Sequence, residues 1–145
     1  MVSHAHVEIR SRPSDPALLA EARANPNGWV YEVDFTYSAD EHTPAEAIVG
    51  AWEVSSTGVL TGRFQPNERY RPIVRLKRNL PAYLIAAAKH NPKKWVSEID
   101  KRGEAMFPDI PDELIVGWWL ISPDGSVSET FRPNSLYNQV NNQEN

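Results

Sequence analysis

The sequence predicts an α+β fold: two tandem α-β-β-β repeats with pseudo-twofold symmetry, forming an antiparallel sheet with helices packed on one face. Residues 44–70 and 111–137 align without a gap at an offset of 67 and share 12 of 27 residues, which indicates an internal duplication. An alanine-rich segment and an NPxxWVxE[VI]D motif, at residues 25–34 and 91–100, precede each copy. The identities are Pro44/Pro111, Glu46/Glu113, Ile48/Ile115, Val49/Val116, Gly50/Gly117, Trp52/Trp119, Ser55/Ser122, Gly58/Gly125, Phe64/Phe131, Pro66/Pro133, Asn67/Asn134 and Tyr70/Tyr137.

The chain of 145 residues is expected to form a single domain, because that length can bury about 68–70% of its unfolded surface. Hydrophobic residues at 41% and charged residues at 23% are typical of a globular protein. The predicted order is an N-terminal strand at 1–12, repeat one at 13–72, a connector at 73–80, repeat two at 81–138 and a polar tail at 139–145.

Several function classes find no support in the sequence. There are no cysteines, so disulfides and thiol catalysis are excluded. No apolar run has the length of a signal peptide or a membrane span, so we expect a cytoplasmic protein without a membrane partner. A net charge of −4 argues against general nucleic-acid binding. A Gly-rich phosphate loop, GxSxG and HExxH are all missing, so no cofactor and no catalytic residue is predicted.

Residues 2–10 alternate as a short strand with Ala5, Val7 and Ile9 on one side. His4 and His6 would then project together, as a two-residue metal clip could. No third ligand is evident in the sequence, so we interpret them as a solvated strand face and predict no metal site.

A helix is predicted to start at Asp15-Pro16, because Asp suits the N-cap and Pro suits the first turn. The following strand reads WVYEVDF. We expect Trp29, Tyr31, Val33 and Phe35 to face the core, and Val30, Glu32 and Asp34 to face the other way.

Each core stretch predicts a hairpin that is closed by a PNxxY motif. Gly58 and Gly125 mark the turns. The proline cannot donate to a ladder, so the return strand ends there. A structural role, in which Asn bonds its own turn and Tyr packs over it, is favoured over a recognition loop, and both alternatives stay open. The motif consists of Pro66, Asn67 and Tyr70 in the first copy, and of Pro133, Asn134 and Tyr137 in the second.

Two repeated sets of side chains have a simple structural interpretation. The tryptophans are expected in the core. A pair of the carboxylates could act as general acid and general base. Exposed strand charges and loop hydrogen bonds explain them more simply, because catalysis would require two active sites or one inactive copy. The sets are Trp29/Trp95 and Trp52/Trp119, and Glu32/Glu98, Asp34/Asp100 and Glu46/Glu113.

The copies differ on one strand face, where Ala51 and Glu53 are replaced by Trp118 and Leu120. Together with Val116 these residues predict a wholly apolar outer face, which something must cover. The candidates are a helix, the N-terminal strand through Val7 and Ile9, a second chain in a homodimer, another protein, or a ligand.

The connector RYRPIVRLKRN carries five basic residues around apolar ones. We expect it to form an edge strand that could pair with the N-terminal strand, since positive charges protect an edge from unwanted pairing. Single-stranded nucleic acid is the less favoured alternative.

The run NGWVYEVD, then PAEAIVGAWEV, a glycine turn and FxPNxxYRP resembles a segment of actinobacterial proteins labelled type VII secretion system-associated. The resemblance covers residues 26–72. The second copy echoes it more weakly, and it lacks the Arg-Pro after its tyrosine. What the resemblance implies is an accessory protein that binds partners, with no catalytic residues to carry over.

The expected function is therefore a non-enzymatic protein-interaction module, in the manner of an accessory or immunity-type partner of a secreted protein. The alternative is a small-ligand-binding protein that uses a groove between the repeats, and the third possibility is a small hydrolase with carboxylate chemistry.

Overall fold

The structure, a computed structural model, describes residues 6–137. Within this range the chain is α+β and forms two compact units, each built on its own four-stranded antiparallel sheet. Unit 1 holds the residues up to Thr36 together with Ala47–Tyr70, and unit 2 holds Tyr37–Glu46 and the residues from Arg71 onward. The predicted fold class is confirmed, and the two similar sheets are consistent with a tandem repeat.

Unit 1 has a sheet of order β1-β4-β3-β2 with one helix on it. The predicted helix start is confirmed: Asp15 is the N-cap, its carboxylate accepts from the Ala17 N–H at 3.4 Å, and Pro16 opens the helix. The elements are β1 (Glu8–Ile9), α1 (Pro16–Ala24), β2 (Trp29–Val33), β3 (Ile48–Val54) and β4 (Leu60–Pro66).

Unit 2 repeats this plan with a sheet of order β5-β8-β7-β6. Its hairpin strands start 67 residues after those of unit 1, so the predicted equivalence of the two core stretches is confirmed. A short 3-10 turn precedes β3 and another precedes β7. The elements are β5 (Val74–Arg75), α2 (Ala82–Ala88), β6 (Trp95–Ile99), α3 (Lys101–Glu104), β7 (Ile115–Ile121) and β8 (Val127–Pro133).

The helices α1 and α2 each cover one face of their own sheet, and the two cores have matching centres. In unit 1, Trp52 and Phe64 lie with their rings 4.7 Å apart, and in unit 2 Trp119 and Phe131 lie 4.8 Å apart. Gly50 lets the Phe64 ring cross the strand, because a Cβ there would lie 2.3 Å from the ring's Cζ atom. The predicted burial of Trp52 and Trp119 is therefore confirmed.

The predicted orientation of β2 is wrong. Val30 is buried, whereas Trp29, Tyr31 and Val33 are 40%, 67% and 43% exposed. The register decides this orientation: Val30 is paired with Trp52, and directly opposite residues lie on the same face of a sheet. The core expectation is consequently wrong for Trp29.

The predicted pairing of the connector with the N-terminal strand is also wrong. β1 pairs with β4, at Glu8 with Phe64, and β5 pairs with β8, at Val74 with Phe131. Each segment is thus the fourth strand of its own sheet. The repeat therefore includes one more strand than the sequence predicted. His4 and the polar tail at 139–145 lie outside the described residues.

Candidate functional site

The repeated glutamates of β2 and β6 bind the core tryptophans. The Trp52 indole N–H donates to Glu32 at 2.9 Å, and the Trp119 indole N–H donates to Glu98 at 2.9 Å. A carboxylate is costly to bury without a hydrogen-bond partner. Because the indole N–H supplies one, these glutamates can lie on the face of the sheet that the helix covers. Glu98 is buried, which corrects the expectation that these carboxylates are exposed.

The PNxxY motifs close each unit in the same way. The Asn67 side-chain amide donates to the Ile48 carbonyl at 2.8 Å, and Asn134 does the same to the Ile115 carbonyl at 2.8 Å. Pro66 ends β4 and Pro133 ends β8. Within the turn itself, the Asn67 side-chain oxygen accepts from the Arg69 N–H at 3.1 Å, and that of Asn134 accepts from the Leu136 N–H at 3.2 Å. The turn role that the sequence predicted for these asparagines is therefore confirmed, and a recognition role for the motif stays a prediction.

The tyrosines of the motifs bind the repeated aspartates. The Tyr70 hydroxyl donates to Asp34 at 2.9 Å, and the Tyr137 hydroxyl donates to Asp100 at 2.5 Å. Asp100 also accepts from the Arg102 guanidinium at 2.9 and 3.2 Å. The Arg102 bonds, with the Tyr137 bond adding to them, hold the pKa of Asp100 well below its usual range, so this carboxylate is not suited to be an acid or base near neutral pH.

The third repeated carboxylate serves unit 2 only. Glu46 is buried and accepts from the Ser135 hydroxyl at 2.6 Å and from its N–H at 3.2 Å, whereas Glu113 is exposed. Arg132, also buried, donates to the Arg71 carbonyl at 2.9 Å and to the Glu46 carbonyl at 3.3 Å. Sequence reasoning missed Arg132 and Ser135. The sequence did contain a signal, because these two positions differ between the copies. The first copy has Gln65 and Glu68 where the second has Arg132 and Ser135.

Unit 2 has a surface depression of about 570 Å³. Its polar groups largely bond one another. Glu98 accepts from Arg78 at 2.9 and 2.5 Å and from Trp119, and Asp100 accepts from Tyr137, so few groups remain to bind a ligand. The depression is lined by Arg78, Pro81, Glu98, Ile99, Asp100, Lys101, Glu104, Val116 and Tyr137.

The predicted outer face of β7 is only partly as expected. Trp118 and Leu120 are half-buried, but Val116 packs on the core beneath α2 because a bulge opposite Glu98 and Ile99 breaks the alternation. The prediction that the N-terminal strand covers this face is wrong, because Ile9 is 80% exposed and its strand pairs with β4 in unit 1. A role of Trp118 and Leu120 in binding or in a homodimer stays a prediction.

The segment 37–46 protects β6, the edge strand of unit 2. The Tyr37 ring stacks on the Trp95 ring with centroids 5.9 Å apart, and the Glu41 carboxylate accepts from the backbone N–H of Trp95 at 3.0 Å. Asp40 forms an ion pair with Lys94, and the Lys94 hydrogen bond lowers the pKa of Asp40. At the other end of the strand, the Ile99 N–H donates to the Tyr83 hydroxyl at 2.6 Å.

Among residues 6–137, the equivalent strand of unit 1 has none of these caps. The Val54 N–H bonds the Gly28 carbonyl and the Asp34 N–H bonds the Ala47 carbonyl. Alternation therefore turns the backbone groups of Trp29, Tyr31 and Val33 away from β3. No residue between 6 and 137 bonds the outward N–H groups of these three residues, and their side chains form what we name the open face of unit 1.

No protein-family model, curated protein or solved structure matches this chain. Within residues 6–137, no cluster of three or more His, Asp or Glu side chains could hold a metal ion. None of the helices in that range is long and apolar enough to cross a membrane. Within residues 6–137, the open face of unit 1 has no evident structural role.

Proposed function

We propose that this protein is a non-enzymatic protein-interaction module and that its partner packs on the open face of unit 1. The observation that carries the proposal is the exposure of three adjacent large side chains, Trp29 at 40%, Tyr31 at 67% and Val33 at 43%. Tryptophan and tyrosine are the residues most enriched where binding energy concentrates in protein interfaces. A contiguous exposed apolar patch is typical of a protein-interaction site.

Comparison of the two units supports this choice of surface. In unit 2 the strand that corresponds to β2 carries Tyr37 on Trp95, and the Trp95 N–H bonds Glu41. The same duplicated strand is thus protected in one unit and exposed in the other. Exposed apolar edge strands promote association, so proteins commonly protect them.

The carboxylates support an interaction role over hydrolysis. Glu32 and Glu98 bind the core tryptophans, and Asp34 and Asp100 bind the closing tyrosines. A general acid or base needs a pKa near the working pH and a free approach to substrate. These carboxylates instead stabilise the fold of each unit.

The biological setting belongs to the same proposal. The resemblance of residues 26–72 to type VII secretion system-associated proteins supports an accessory or immunity-type partner of a secreted protein. In that role the protein would act in the cytoplasm, before its partner is exported.

Site-specific photo-crosslinking in the host cell tests the proposal. A benzophenone amino acid replaces Trp29 in one version and Ile85 of α2, an apolar residue of similar exposure at 48%, in the control version. We expect the Trp29 position, and not the Ile85 position, to form an adduct with a different protein. The absence of such an adduct, or the same adducts from both positions, would contradict the proposal.

A further inference from the structure

We infer that the outward edge of β2 pairs with the β2 edge of a second copy of this chain, in an antiparallel arrangement centred on Tyr31. The inference rests on the proposed function, because a second copy would extend the open face on which a partner packs. It concerns the backbone edge of the strand, whereas the proposed function concerns the side chains on its face.

Of the sheet edges, that of β2 is the one suited to pairing. β1 and β5 are two residues long, at Glu8–Ile9 and Val74–Arg75. β6 is five residues long, but Glu41 and Tyr83 bond N–H groups at its two ends. β2 is also five residues long and carries neither cap in the described part of the chain.

One missing cap and one missing ion pair can each be traced to a single replacement. At the offset of 65 that aligns Pro16 with Pro81, the position of Tyr83 is occupied by Leu18, which cannot bond a backbone group. At the offset of 66 that aligns the NPxxW motifs, Lys94 corresponds to Gly28, so unit 1 also lacks the cation that binds Asp40 in unit 2.

The backbone of β2 is self-complementary. Trp29, Tyr31 and Val33 all direct their N–H and C=O groups outward. A twofold axis at Tyr31 places it opposite the Tyr31 of the second copy, and Trp29 opposite Val33. All three are then hydrogen-bonded pairs, with up to about six backbone bonds between the copies.

The side chains agree with this register. Directly opposite like charges destabilise a strand pair, whereas aromatic and β-branched pairs stabilise it. The outward residues carry no charge, and Glu32 falls opposite Val30 rather than opposite a second Glu32. A symmetric pair also satisfies both edges at once, so association ends at the dimer.

Sedimentation velocity of the purified full chain over a range of concentrations tests the inference. We expect a concentration-dependent dimer for the unmodified chain. Tyr31→Lys places two ammonium groups opposite each other, so dimerisation should weaken by about tenfold or more. The matched control is Ile9→Lys, on the opposite edge strand of the same sheet, where the side chain is 80% exposed. It should leave the dimer unchanged.

A charge-swap experiment tests the register itself. Tyr31→Lys and Tyr31→Glu should each be monomeric and folded by circular dichroism, and a one-to-one mixture should recover the dimer. An unmodified chain that is monomeric at all concentrations overturns the inference. A dimer unaffected by Tyr31→Lys also overturns it, and so does a mixture that remains monomeric.

The two proposals can fail separately. The sedimentation samples contain no other protein. A monomeric result would therefore overturn the dimer but would not contradict a Trp29 adduct with a different protein in the host cell. Conversely, charge-dependent dimers without such an adduct support pairing of β2 and contradict the proposed function.

Discussion

At the scale of single residues, each unit depends on a tryptophan that is both a core ring and a hydrogen-bond donor. Trp119 is 1% exposed, contacts Phe131 and donates to Glu98. Trp52 has the equivalent partners in unit 1, Phe64 and Glu32. The adjacent residue on β7, Trp118, lies on the opposite face and is half-buried. Two consecutive tryptophans therefore offer a direct comparison of roles.

Replacement of Trp119 with alanine should lower the free energy of unfolding by about 3–5 kcal/mol, because it opens a core cavity and leaves Glu98 short of a donor. Replacement of Trp118 with alanine, the residue found at position 51, should cost about 1–2 kcal/mol. Urea denaturation of the two variants measures both values. Equal losses would contradict the different burial of the two rings.

The depressed pKa of Asp100 predicts a pH-dependent contribution to stability. The Arg102 and Tyr137 bonds favour the charged carboxylate in the folded state. Since an unfolded Asp has a pKa of about 3.9, the folded protein gains stability above that pH and loses it as the pH falls toward the depressed value.

We therefore expect the unmodified chain to exceed Asp100→Asn in melting temperature above about pH 5, and this advantage to shrink as the pH falls toward about 2. Melts by circular dichroism across this range check it. The opposite trend, in which the advantage grows in acid, would show that the carboxylate is not stabilised in its charged form.

At the scale of secondary-structure elements, β2 and β6 show that one duplicated strand can have two different edges. Tyr83 and Glu41 bond N–H groups of β6. Burial raises the pKa of Tyr83, and its hydroxyl also donates weakly to the Ile99 carbonyl at 3.4 Å. These caps come from other segments of the chain and not from the strand itself.

Tyr83→Phe should therefore increase amide hydrogen exchange at Ile99 by about three- to tenfold, since one hydrogen bond contributes about 1 kcal/mol. The phenylalanine ring keeps the packing of α2, so the core amides should change little. Tyr31→Phe is the control, because Tyr31 is exposed and its hydroxyl has no partner in the range 6–137. Unchanged exchange at Ile99 would contradict the cap.

At the scale of the whole molecule, the chain builds each unit from segments that are not contiguous in sequence. Unit 2 takes residues 37–46 from within the first repeat. This segment contributes the Tyr37 ring against Trp95 and the buried Glu46 that bonds Ser135. The second repeat is therefore incomplete without part of the first.

A fragment of residues 71–145 should consequently be less stable than unit 2 in the full chain, because it lacks Tyr37, Glu41 and Glu46. A fragment that starts at residue 37 restores the three residues. Hydrogen exchange at Trp95 and Ser135, compared between the fragments and the full chain, measures the difference. Equal protection in the 71–145 fragment and the full chain would show that segment 37–46 contributes nothing to unit 2.

The duplication made much of this fold predictable. Two copies of one pattern support one interpretation, so the helix starts, the hairpins and the burial of Trp52 and Trp119 follow from residue types and spacing. The PNxxY turns were predictable for the same reason, since each asparagine side-chain oxygen accepts from the backbone N–H two residues further on. These features are local in sequence.

The surface that carries the proposed function was not predictable in this way. Trp29, Tyr31 and Val33 look like the buried side of a strand by size alone. Pairing of Val30 with Trp52, together with the bond that lets Glu32 face the core, places them outside. The register between strands depends on long-range pairing, and a shift of one residue exchanges the two faces.

By itself, then, the sequence determined the elements and their repetition, because helix caps, turn residues and alternation act over a few neighbouring positions. Tertiary structure alone decided which face of β2 is exposed and that segment 37–46 belongs to unit 2. It also decided that, among the residues described, the edge of β6 is capped and that of β2 is not. Those outcomes depend on contacts between residues tens of positions apart, whose energies no local pattern encodes.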